Sequence, residues 1–174
     1  MKTITSHLQG VNSSYSLFMI CAGLAPAANA QLSYPGRVFP VGAGARAVHA
    51  ADFDLDGRND LVTANSTSAS VSFLHNNGGG VFASPSNQVV ATNPMDLAVD
   101  DLTGDGKLDM AVAHNFSAPP IITMLKGSGG PGFTTQLVSV TSASSSISLS
   151  DMNGDGWPDL LRTDQSNSQI AVLL

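Results

Sequence analysis

A nine-residue pattern with aspartate at set positions occurs three times, as Asp52–Asp60, Asp101–Asp109 and Asp151–Asp159, starting 49 and then 50 residues apart. All thirteen acidic residues of the chain are aspartate, and ten of them lie in these copies. Positions 1, 5 and 9 are always aspartate: Asp52, Asp56 and Asp60; Asp101, Asp105 and Asp109; Asp151, Asp155 and Asp159. Position 3 is Asp54, Thr103 or Asn153, and position 6 is glycine in every copy. That glycine permits the sharp turn on which oxygen ligands converge. Carboxylates held so close repel one another strongly unless a counter-charge sits among them. The pattern therefore points to loops that cage a hard divalent cation of the calcium type, with up to three ions per chain.

A repeat near 50 residues argues for an array of similar units, and the flanking residues say which kind. Four residues before the first aspartate stand Val48, Leu97 and Ile147, and two before it stand Ala50, Val99 and Leu149. This alternation is the period of a half-buried strand. Short apolar runs follow the last aspartate: Leu61–Ala64, Met110–Ala113 and Leu160–Thr163. A third strand is expected at Val71–Leu74, Ile121–Leu125 and Ile170–Leu173, then a glycine-rich turn with Phe82 or Phe133 leading to a fourth. Helix is disfavoured throughout residues 31–174, because glycine, proline, serine and β-branched residues dominate. The expected fold class is all-β: about three four-stranded propeller blades near 43–90, 91–140 and 141–174, with 31–42 as a lone outer strand.

Residues 1–30 resemble an export signal, with Lys2, a short apolar core from Leu17 to Leu24, and Ala28-Asn29-Ala30 as the cleavage site. Secretion or display at the cell surface is the expectation, and cleavage would remove Cys21, the only cysteine, so that no disulfide could form. No later stretch reaches the ~20 apolar residues of a membrane span. The formal charge of −6 becomes −7 once Lys2 is gone, and three divalent ions would bring it to −1. Acidity of this origin, with no basic stripe, argues against a nucleic-acid partner.

The aspartate loop, its continuation Asp60–Asn65, and the turn Asn77–Phe82 resemble the FG-GAP or VCBS repeats of integrin α-chain propellers and many secreted bacterial proteins. The resemblance implies one propeller blade per repeat, with calcium in the hairpin between its first two strands. It assigns as side-chain ligands Asp52, Asp54, Asp56 and Asp60; Asp101, Thr103, Asp105 and Asp109; and Asp151, Asn153, Asp155 and Asp159. Arg58, Lys107 and Trp157, at position 7, would each add a backbone carbonyl. The helical EF-hand is the rival for such loops, but it needs a glutamate at position 12, where this chain has Thr63, Val112 and Arg162. The first loop carries one carboxylate more than either of the others and is expected to fill first.

His49, His75 and His114 are scattered and read as surface or loop residues. Trp157 offers either a packing contact or a glycan-stacking platform, Phe82 and Phe133 read as core, and Arg162 and Asp164 as a pair or a degraded terminal blade. No Gly-x-Ser-x-Gly turn and no placed His–Asp pair occurs. The expected function is a non-catalytic adhesion or ligand-binding module for an unknown protein or glycan. The alternative is an accessory domain or fragment of a secreted hydrolase or lyase. Three blades are fewer than a closed ring needs, so the chain is expected either to self-associate, two copies making six blades, or to be part of a longer propeller.

Overall fold

The structure, a computed structural model, describes residues 36–174 apart from Pro131. The expected export signal over 1–30 lies outside the described residues, as does 31–35. Arg37–Leu174 form one compact unit, and its regular elements are all strands: β1 Ala45–Ala51, β2 Asp60–Asn65, β3 Ser70–Leu74, β4 Ser86–Val89, β5 Pro94–Asp100, β6 Asp109–His114, β7 Ile121–Gly127, β8 Phe133–Ser139, β9 Ile147–Ser150, β10 Asp159–Asp164 and β11 Gln169–Leu173. They make three separate antiparallel sheets in chain order, β1-β2-β3-β4, β5-β6-β7-β8 and β9-β10-β11. The sheets are meanders like propeller blades, and they do not close into a ring. Each acidic loop joins the first two strands of its sheet, and each second strand starts on the position-9 aspartate.

Residues 36–42, the described part of the segment expected to be a lone outer strand, form no strand. Pro40 has no N–H to give a ladder, and contacts of other kinds hold the segment. Phe39 meets Phe82 edge-on at 5.1 Å. Arg37 Nη1 donates to the Gly80 carbonyl at 3.2 Å, and the Gly42 N–H donates to Ser72 Oγ at 3.0 Å.

Cross-strand register makes the repeats comparable residue by residue. Val62 pairs with Phe73, Ala111 with Met124 and Leu161 with Val172; Ala64 pairs with Val71, Ala113 with Ile122 and Thr163 with Ile170. In the first sheet, Val62, Ala64, Val71 and Phe73 pack against Leu97, Met110, Val112 and Leu125 of the second. The same positions of the second sheet, Ala111, Ala113, Ile122 and Met124, pack against Ile147, Leu149 and Leu160 of the third. The core is thus two apolar layers, each between consecutive sheets. Asp96, at a bulge in β5, adds a polar stitch: its Oδ2 accepts from Ser146 Oγ at 2.9 Å and from the Ile147 N–H at 3.1 Å.

The loops are tied into these layers by position 2, a role the sequence reading did not assign. Phe53 is buried against Phe73 and Phe133 in edge-on contacts with centroids 5.5 and 5.9 Å away. Leu102 packs into the second layer. Met152, with no further sheet against it among the described residues, is 57 % exposed.

Candidate metal centre

Each loop is shaped first by its own backbone. Asp52 accepts from the Asp56 and Gly57 N–H groups at 3.0 and 2.8 Å. Asp101 accepts from Thr103, Gly104, Asp105 and Gly106, and Asp151 from Gly154 and Gly156. The Gly156 and Gly154 amides hold the Asp151 carboxyl below its usual value, since they stabilise the charged form. Position 6 needs glycine because φ there is 85°, 77° and 88° in Gly57, Gly106 and Gly156. The N–H of Arg58, Lys107 and Trp157 donates to the position-5 aspartate at 2.9, 3.1 and 2.8 Å.

Position 9 is the buried end of the constellation: Asp60, Asp109 and Asp159 are 0 %, 2 % and 3 % exposed. Both oxygens of Asp109 are used, one by the Gly127 N–H at 2.8 Å and the other by the Leu102 N–H at 3.0 Å. Asp159 accepts from the Met152 N–H at 2.8 Å. Asp60 differs. Its Oδ1 accepts from the Asn76 N–H at 2.8 Å, while its Oδ2 has no partner.

The first loop is where candidate donor atoms converge. Oxygens of Asp54 and Asp56 and a ring nitrogen of His75 all lie within 4.8 Å of one another, the one such trio of acidic, thiol or imidazole side chains among the described residues. His75, read from the sequence as a surface or loop residue, does follow β3 outside any strand, and the fold brings its ring to this loop. Pairing of Leu61 with Leu74 delivers it from the end of β3 to the loop, a neighbourhood that spacing along the chain could not reveal. Asp52 faces the loop amides rather than the trio, and the Arg58 side chain ion-pairs with Asp56 of the trio while its Nε donates to the Asn76 carbonyl at 2.8 Å.

A cation fits this loop on a separate ground. Four buried side-chain polar atoms lack a partner among the described residues, and the two carboxylate oxygens among them, Asp54 Oδ1 and Asp60 Oδ2, both belong here. A buried anionic oxygen left unpaired is costly, and a bound cation would satisfy it. In the second loop Lys126 Nζ stands 3.2 Å from Asp105 Oδ2, and this ammonium holds the Asp105 carboxyl below its usual value. In the third, Asn153 Nδ2 donates to Asp155 Oδ2 at 3.0 Å. Thr103 lies exposed in its loop.

Trp157 lies against Gly104, where a Cβ would collide with its ring. Together with Asp100, Asp101, Asp151 and Pro158 they line an open cavity of about 410 Å³ between the second and third loops. Arg162 and Asp164 form no ion pair. Arg162 is buried under the serine run Ser142–Ser148, donating to Thr141, Ser142 and Ser144, and Asp164 accepts from Asn167 at 3.1 Å.

Sheets and loops together define a class: a repeat array of blade-like antiparallel sheets whose first hairpins carry aspartate loops. The family model of the FG-GAP-like repeat matches residues 52–112 and again 101–162, and the chain belongs to that family. No curated protein matches it.

Proposed function

We propose that this is an exported, non-catalytic repeat module that uses calcium to rigidify its loops and binds a protein or glycan ligand. The observation that carries the calcium reading is the pair of buried, unpartnered oxygens, Asp54 Oδ1 and Asp60 Oδ2, in a loop that also holds Asp52 and Asp56. Calcium would supply charge neutralisation there; the residues supply the cage, shaped in advance by their amide hydrogen bonds. Extracellular calcium modules commonly bind with constants on the order of 10⁻⁴–10⁻³ M, and a hundredfold excess of ion then adds about 2.7 kcal/mol per site.

The non-catalytic reading is supported by how the acids outside the loops are used. Asp96 stitches two sheets, Asp100 accepts from the Asp101 N–H at 2.8 Å, and Asp164 binds Asn167. The ligand reading is supported by the Trp157 cavity, where a half-exposed indole face stands beside carboxylate acceptors, a pairing suited to a sugar ring. Self-association belongs to the same reading. Leu161, Ile170 and Val172 occupy the positions that the first two sheets bury against their neighbours, and Ile170 is 74 % exposed.

Calorimetric titration of calcium into the metal-stripped chain, followed by melting curves, tests the proposal. Heat of binding with a higher melting temperature is expected, the first loop filling before the others. Absence of both, or a first loop still empty when the others are full, contradicts it.

A further inference from the structure

We infer that His75 makes the first loop a mixed nitrogen–oxygen site, one that prefers a borderline divalent metal of the zinc class to calcium. The inference rests on the reading of this loop as a cation site, but not on calcium being the cation. His75 Nδ1 is 3.1 Å from Asp54 Oδ2 and 3.2 Å from Asp60 Oδ1. Its side chain is 33 % exposed, so it is positioned by the fold and still reachable from solvent. A second observation, an orphaned oxygen in the buried floor of the loop, points to a ligand. Asp60 is fully buried, touches this imidazole through Oδ1, and leaves Oδ2 unpartnered.

Donor chemistry then decides the class of metal. Calcium takes oxygen ligands, whereas imidazole nitrogen suits zinc and its neighbours, which also accept carboxylates. Asp54, Asp56 and His75 form the core of the donor set, with Asp56 shared with the Arg58 guanidinium and Asp60 touching the imidazole from its buried side. Register shows that the imidazole is particular to this loop. Leu61 pairs with Leu74 and Met110 with Leu125, so the residue matching His75 in the second sheet is Lys126. Its ammonium approaches Asp105 and cannot ligate a metal, and both oxygens of Asp109 are already engaged. The residue following the strand partner of Leu61 or Met110 thus sets what these two loops accept: a metal ligand in the first, a built-in cation in the second.

The test uses the metal-stripped chain as it stands, with zinc alone and calcium alone titrated by calorimetry into the wild type and His75→Gln. The wild type should take up zinc at this site, and His75→Gln should lower its zinc-over-calcium preference at least about tenfold. Nitrogen NMR of the wild-type histidines gives a reading that needs no variant: the His75 ring nitrogens should shift on zinc addition. A preference unchanged by His75→Gln, a wild type that binds calcium but not zinc, or zinc shifts confined to another histidine such as the exposed His49 would overturn the inference. Zinc uptake at His75 without any calcium binding would leave it standing and sink the calcium proposal instead.

Discussion

Leu55 carries the left-handed backbone, φ 62°, at a position where the other two loops have Gly104 and Gly154 at 67° and 81°. The left-handed region costs a side chain roughly 1–2 kcal/mol, while glycine loses about 0.5–1 kcal/mol more chain entropy on folding. Leu55 is exposed and loses no core packing when removed. Leu55→Gly should therefore raise stability by up to about 1 kcal/mol, read by denaturant unfolding. His114 is the second single-residue lesson. Sequence reading placed it at the surface or in a loop, yet it is fully buried in β6. Its Nδ1 lies 3.1 Å from the Thr92 carbonyl, which can only accept, so Nδ1 carries the proton and Nε2 accepts from the Thr123 hydroxyl at 2.8 Å. Burial pushes its pKa below the ordinary 6.5. Because the folded value is the lower one, the unfolded chain takes up the proton first. The stability tied to neutral His114 is complete above pH 6.5 and lost as pH falls toward the folded value. Melting temperature should drop on acidification below pH 6.5, and this drop should be smaller in His114→Gln; identical profiles would refute it.

At the scale of the element, the unit that repeats is a hairpin whose loop is bent by its own amides and pinned by its second residue. Phe53, Leu102 and Met152 are all apolar between polar neighbours, so the signal was in the aligned copies, hidden by the metal-loop pattern around it. Its meaning depends on a neighbour: Phe53 and Leu102 have a following sheet to enter, and Met152 has none among the described residues. Phe53→Ala should cost about 3–5 kcal/mol, the usual loss for a buried aromatic. Met152→Ala should stay within about 0.5 kcal/mol. Chemical denaturation of both variants checks the contrast, and equal losses would mean that position 2 is not an anchor.

For the whole molecule, burial follows a sheet's place in the array more closely than its sequence. Val48, Leu97 and Ile147 hold one register position, and they are 62 %, 0 % and 6 % exposed. Only the last two have a preceding sheet to pack against within Arg37–Leu174. At the other end Ile170 and Val172 are exposed where Val71, Phe73 and Ile122 are buried. If the third sheet's open face is used between copies, the wild type should self-associate at micromolar concentration, and Ile170→Asp should shift it toward monomer by light scattering. A wild type monomeric under those conditions would remove the self-association reading.

The strands, their meander order, the three acidic hairpins and the family were legible in the chain alone. They depend on contacts between residues close in sequence: alternation, turn glycines, and carboxylates a few positions apart. Tertiary structure alone decided which copies are buried, that the expected lone outer strand is not a strand over 36–42, that Arg162 serves the serine run, and that His75 reaches the first loop while Lys126 reaches the second. Those outcomes turn on what lies across a sheet or in the next one. Pairing energy sums over whole faces, and no local spacing encodes which single side chains it brings together.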